Sequence, residues 1–126
     1  MKTIINTSSA PAPIGPYSQA VIANGFLFAS GQIAINPESG ELNISSIAEE
    51  THQVMRNIKA VLIEADYEFA HIVKTTIFLS DMSLFAEVNE IYGSYFENEF
   101  PARETVAVKG LPKGVNVEIS ITAFKA

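Results

Sequence analysis

Phe100-Pro101-Ala102-Arg103-Glu104-Thr105-Val106-Ala107-Val108 begins as a turn and becomes a strand. Pro101 fixes its own φ and biases Phe100 away from helix, so whatever precedes must stop there. Beyond it the pattern alternates, with Thr105, Ala107 and Lys109 on one side and Glu104, Val106 and Val108 on the other. Arg103 falls where the turn hands over to the strand. A guanidinium held there at the edge of a cavity offers a planar fork of donors that matches a carboxylate bidentately. An Arg that snorkels or pairs with a surface Glu is the commoner arrangement, so the rest of the chain has to decide.

Upstream, Ser83 to Asn98 reads as a helix with Leu84, Val88, Ile91, Tyr92 and Tyr95 on one face. Asn89 lies inside it, which is mildly unfavourable unless the side chain is solvated or in use. Ile72 to Leu79 is rich in β-branched residues and reads as a buried strand. Ser46 to about Ala65 is a second amphipathic helix, opened by Ser46 and Glu49 in capping-box spacing. Its apolar side runs through Val54, Met55, Ile58, Val61 and Leu62, which leaves Glu50, Gln53, Arg56, Asn57 and Lys59 for the opposite side.

Nearer the start, Asn24-Gly25 joins strands Ser18–Ala23 and Phe26–Ser30 in a hairpin. Gln32 to Ile35 could continue the second strand, and Asn36 to Glu41 is a turn. Lys2 to Ile5 reads as a short edge strand. Ser8 to Pro16, with Pro11, Pro13, Gly15 and Pro16, reads as an ordered loop that displays Tyr17. Downstream, Gly110 to Gly114 is a turn and Val115 to Phe124 the last strand, with Val115, Val117, Ile119, Ile121 and Ala123 opposed to Asn116, Glu118, Ser120, Thr122 and Phe124. The order β-β-β-α-β-α-β-β predicts an α/β (α+β) single domain over residues 1–126, one sheet with two helices packed on one face. The other face keeps Phe28 or Leu27, Thr76, Phe78 and Phe124, apolar enough to want a partner, which predicts a homo-oligomer.

Composition narrows the function classes. A net charge of −6 is poor provision for a phosphate backbone, so nucleic acid is not expected as a partner. Without cysteine there is no disulfide, thiol catalysis or Cys-based metal site. His52 and His71 stand too far apart for a local metal motif and read as surface or capping residues. The first residues lack a signal-peptide core, and no apolar run approaches the ~18 residues of a membrane span. The expectation is a soluble cytoplasmic protein. Hydrophobic content of 48% against 17% charged also suits subunit contacts.

Four polar features sit at loops or strand ends: Tyr17, Ser30-Gly31, Arg103 and Glu118. Glu118 is set between Val117 and Ile119. If buried, its carboxyl titrates higher and can work as a general acid or base; if it faces solvent, it is an ordinary surface Glu. Ser30 has no His or acidic partner in a nucleophile motif and reads as a hydrogen-bond donor. No phosphate-cradling glycine motif is present.

These residues lie in segments that resemble the RidA (YjgF) family: Ile14-Gly15-Pro16-Tyr17-Ser18-Gln19, Ala29-Ser30-Gly31-Gln32, Val88-Asn89-Glu90-Ile91-Tyr92, Phe100-Pro101-Ala102-Arg103, Leu111-Pro112-Lys113-Gly114 and Val117-Glu118-Ile119. The resemblance covers essentially the whole chain. It implies a chorismate-mutase-like fold and a homotrimer with clefts between subunits. It also implies hydrolytic deamination of reactive enamines and imines, 2-iminobutanoate and 2-iminopropanoate, to 2-oxo acids and ammonia, with no metal or organic cofactor. By the same resemblance Arg103 binds the substrate carboxylate, Glu118 positions water, and Tyr17, Ser30, Gly31, Asn89 and Thr105 line the cleft. Thr105 stands where family members often carry Cys. A trimer that binds 2-oxo acids without turning them over is the alternative.

Overall fold

A computed structural model describes all residues, Met1–Ala126. Its sheet has six strands: β1 (Thr3–Ile5), β2 (Ala20–Ala23), β3 (Phe26–Ala29), β4 (Ile72–Leu79), β5 (Ala102–Ala107) and β6 (Val117–Phe124). Two α-helices, α1 (Ile47–Glu64) and α2 (Phe85–Gly93), join them. The spatial order is β1-β2-β3-β6-β4-β5. Only β4 and β5 pair in parallel. Because β3 and β4 both run antiparallel to β6, they run parallel to each other with β6 inserted between them. Each helix is therefore a crossover between parallel strands, as the order of elements predicts.

Both helices cover one face. Leu27, Ile77, Leu79, Val117 and Ile119 from the sheet meet Val54, Met55, Ile58 and Leu62 of α1 and Val88 and Tyr92 of α2. Each such side chain contributes about 1.5–3 kcal/mol by leaving water. No helix is long and apolar enough to cross a membrane. The opposite sheet face stays open. Register puts Phe28 there rather than Leu27, together with Phe26, Phe78, Val106 and Phe124. Phe28 is 47% exposed and stacks on Phe26, which in turn packs on Phe124.

Several elements differ from the sequence reading. The α2 helix spans Phe85–Gly93 and not Ser83 to Asn98. A 3₁₀ turn capped by Asp81 precedes it. At its end Tyr95 and Phe96 switch to i−3 bonds and Ser94 Oγ donates back to Ile91 O at 2.6 Å, which closes the helix early. The β2 strand starts at Ala20, not Ser18, because Gln19 is engaged with the N-terminal loop. Strand β5 starts at Ala102, two residues ahead of Glu104, so Arg103 lies within it. Strand β6 starts at Val117 rather than Val115.

The largest correction concerns α1. Glu50, Gln53 and Asn57 are buried, not turned to solvent. Glu50 accepts from the backbone N–H of Asn116 and of Val117 at 2.7 and 2.9 Å and from Asn116 Nδ2 at 3.0 Å. Asn57 Nδ2 donates to the carbonyls of Ile33 and Ile35 at 3.1 and 3.0 Å. These polar groups are buried because backbone far along the chain saturates them. Ser46 does cap the helix, accepting from Glu49 N at 3.1 Å.

Candidate active site

Glu118 follows from the alternation of β6. Val117, Ile119 and Ile121 enter the core, so the side chain between them turns to the open face. Beside it β3 leaves its register. Phe28 pairs with Thr122, but the next pairing joins Gln32 to Ile119, four residues along one strand against three along the other. The extra residue is a bulge that pushes Ser30 and Gly31 out of the ladder. Gln32 and Ile119 then lock the far side by exchanging N–H···O bonds of 2.8 and 3.1 Å.

Gly31 is where the Glu118 carboxyl rests. A Cβ on Gly31 would overlap Oε2 and lie 2.9 Å from Cδ. Glu118 has no ion-pair partner. Burial alone pushes its carboxyl above the ordinary range. It opens into a cavity of about 620 Å³ that also holds Tyr17, Ser30, Gly31, Ile14 and Lys113. The Tyr17 ring is offered by a tight turn about Pro16, in which Tyr17 N donates to Gly15 O at 2.9 Å. Ser30 is a donor, but its hydroxyl is already spent on the Ser18 carbonyl at 2.6 Å. Only its lone pairs remain for a ligand. Gln19, which the sequence reading passed over, is buried and ties down one wall: Nε2 donates to the carbonyls of Thr7 and Pro11 at 3.0 and 2.9 Å, and Oε1 accepts from Thr7 N at 2.7 Å.

Arg103 belongs to a second cleft, of about 410 Å³, with Asn89, Tyr92, Phe100 and Pro101. It pairs in register with Thr75, a buried residue, so its side chain leaves the sheet on the helix-covered side at the exposed edge. Nη1 donates to Asn89 Oδ1 at 2.5 Å. The guanidinium carbon lies 5.5 Å from the ring centres of both Phe85 and Tyr92. Tyr92 is itself fixed by donating to Thr75 Oγ1 at 3.0 Å. Arg103 makes no ion pair, so the surface-Glu arrangement does not apply. Thr105 follows on the same strand face, and its Oγ1 is buried without a partner.

The chain thus gathers the residues in two groups. Tyr17, Ser30, Gly31 and Glu118 share one cavity, and Asn89 and Arg103 share another. The two groups lie on opposite faces of the sheet. Sequence alternation found Glu118 and the turn before Arg103, but Tyr92 was legible only as an apolar helix position and Phe85 was not singled out.

Comparison with known proteins finds relatives along the whole chain. The family model described as Endoribonuclease L-PSP matches residues 7–125. A RutC family protein of Pyrococcus horikoshii is 49% identical, over 99% of each chain. A human protein named 2-iminobutanoate/2-iminopropanoate deaminase is 43% identical, over 99% of this chain and 91% of its own. A crystal structure of a Rid family protein from Yersinia pestis superposes with a TM-score of 0.97 at 50% identity, covering 99% of this chain and 100% of that one.

Proposed function

The chain belongs to the Rid (YjgF/RidA) family, and from that premise we propose that it hydrolyses small 2-imino acids to 2-oxo acids and ammonia in clefts between copies of itself. The observation that carries this reading is the division of the site. One protomer holds a half-buried carboxylate without a guanidinium on one face, and a pre-oriented guanidinium without an acid or base on the other. In a homotrimer Arg103 of one copy faces Glu118 of its neighbour, and the open apolar face is buried. The deaminase name of the human relative supports the reaction.

The chemistry needs little more. The iminium carbon is already electrophilic, so no covalent nucleophile is required. Arg103 holds the carboxylate of the substrate with the donors that Asn89 leaves free. Glu118, ionised, takes a proton from water as the water oxygen bonds to C2 and the C=N electron pair moves to nitrogen. The carbinolamine nitrogen then receives that proton from Glu118. As the C–N bond breaks, its electrons leave with ammonia, the hydroxyl oxygen closes the new carbonyl, and its proton is released. An enamine enters the same path after protonation at C3. Tyr17 lines the Glu118 side of the cleft, and Thr105 follows Arg103 on the same strand face.

An amino-acid oxidase supplies 2-iminobutanoate in the presence of semicarbazide, and semicarbazone formation reports the imine that escapes hydrolysis. The protein should suppress that signal, and Arg103→Ala and Glu118→Gln should not. Co-expressing the two inactive variants should restore part of the activity, because some clefts then join an intact Arg103 to an intact Glu118. Activity close to wild type in either single variant would sink the assigned roles. A wild-type protein without effect on the signal would leave only 2-oxo-acid binding.

A further inference from the structure

Lys113 stands at the Glu118 cavity in a backbone conformation that lysine seldom takes, with φ 56° and ψ 18°. The turn that presents it is closed on both sides. Gly114 N donates to Leu111 O at 3.1 Å and Val115 N to Pro112 O at 3.3 Å. The next residue, Asn116, is gripped by buried Glu50. The stem of Lys113 therefore starts from a fixed point. Among the residues lining this cavity Lys113 is the only cation and Glu118 the only anion. Lys113 makes no ion pair of its own.

The cavity is also large for 2-iminobutanoate and 2-iminopropanoate. At somewhat less than a water molecule's share of about 30 Å³ per heavy atom, 2-iminobutanoate needs on the order of 150 Å³. In the single chain the cavity offers about 620 Å³, roughly four times that, and a neighbouring copy that brings in Arg103 takes part of it. With the 1-carboxylate held by Arg103 of the neighbouring copy, it is the substrate's side chain that enters here. Of the lining residues Ile14, Ile33 and Pro112 offer no hydrogen bonds from their side chains, and exposed Lys113 offers an ammonium group without an ion-pair partner.

We propose that this cavity accepts 2-imino acids whose side chain ends in a second carboxylate, and that Lys113 is the residue that selects them. The inference rests on the deaminase reading of the same site and names its substrate class. The reaction is the one written above, and the distal carboxylate takes no part in it. A second carboxylate in the same cavity as Glu118 would be repelled without a counter-charge, and Lys113 supplies one.

The test compares two imines made by oxidases in the presence of semicarbazide, 2-iminoglutarate and 2-iminobutanoate, with wild type, Lys113→Gln and Lys113→Arg. The ratio of kcat/KM for the diacid to that for the monoacid should fall tenfold or more in Lys113→Gln and recover in Lys113→Arg. A ratio that moves less than twofold overturns the proposal. Calorimetric titration with 2-oxoglutarate and 2-oxobutanoate reads the cavity without turnover, and Lys113→Gln should weaken the diacid selectively there too. If no imine is hydrolysed but that selective loss appears, the deaminase reading falls and the dianion site stands. If imines are hydrolysed and neither ratio moves, the dianion site alone falls. If imines are not hydrolysed and the titrations agree between variants, both fall.

Discussion

The Glu118 carboxyl lies over the Cα of Gly31, in the space a side chain would fill, so that an added Cβ would sit 2.9 Å from Cδ. Gly31 does not adopt a left-handed φ, so what this position requires is room and not backbone freedom. Gly31→Ala should fold, because the clash is with the far end of a side chain that can swing away. Stability should change by about 1 kcal/mol or less. Activity should fall about a hundredfold, since the displaced carboxyl no longer meets the water it must deprotonate. Urea unfolding beside imine hydrolysis checks this, and a variant with full activity would show that the seat of Glu118 is irrelevant.

Arg103 should be more sensitive to its shape than to its charge. Its guanidinium is oriented by Asn89 and by the rings of Phe85 and Tyr92. Arg103→Ala should cost two to three powers of ten in kcat/KM, roughly the loss of a bidentate charged contact. Arg103→Lys keeps the charge and loses the fork, and should recover no more than about tenfold of that loss. Asn89→Ala frees the guanidinium to wander and should raise KM about tenfold, with little change in Tm. Steady-state kinetics on the three variants separate these outcomes.

Much of this architecture could be read from the chain, and the failures have a common physical source. The strand pattern of β6 and the apolar stripe of α1 are local signals, and they placed Glu118 and the core correctly. Whether Glu50 faces water is not local, because its partners Asn116 and Val117 lie 66 and 67 residues away and two of its three donors are backbone N–H groups that almost any residue would carry. The two-sided site was hidden for a related reason. Alternation gives the two faces of each strand, but only the register of β5 on β4 and of β4 on β6 shows that Arg103 and Glu118 point to opposite sides. The length of α2 failed differently: the apolar spacing continues through Tyr95, while the backbone has already tightened at Ser94.

The raised pKa of Glu118 links activity to stability with opposite signs. As the base, Glu118 must be ionised, so kcat/KM should fall as pH drops through a value above that of an ordinary glutamate. The fold, however, disfavours the charged form. A group whose folded pKa is raised contributes stability below its unfolded pKa and loses it as pH rises through the folded one. At neutral pH the ionised Glu118 is therefore a burden, and Glu118→Gln should melt higher than wild type while being inactive. The difference should close toward acidic pH. Melting curves at two pH values test this, and a variant that melts lower at neutral pH would mean that the carboxylate is stabilised by something other than water.

Glu50 presents a different case, a buried carboxyl that holds the start of β6 in place through its hydrogen bonds. It is fully buried, with no cation near enough to pair, and three N–H groups from Asn116 and Val117 satisfy it. Glu50→Ala leaves two backbone N–H groups buried without acceptors and should cost about 3–5 kcal/mol. Glu50→Gln keeps one oxygen and should cost about half as much, since its amide turns a donor toward donors. Because the gripped segment leads from the Lys113 turn into Glu118, the milder variant should also lose activity before it unfolds. Equilibrium denaturation of both variants, with hydrolysis measured well below the midpoint, distinguishes this from simple loss of folded protein. A Glu50→Gln protein as stable and as active as wild type would mean that β6 is held by its sheet neighbours alone.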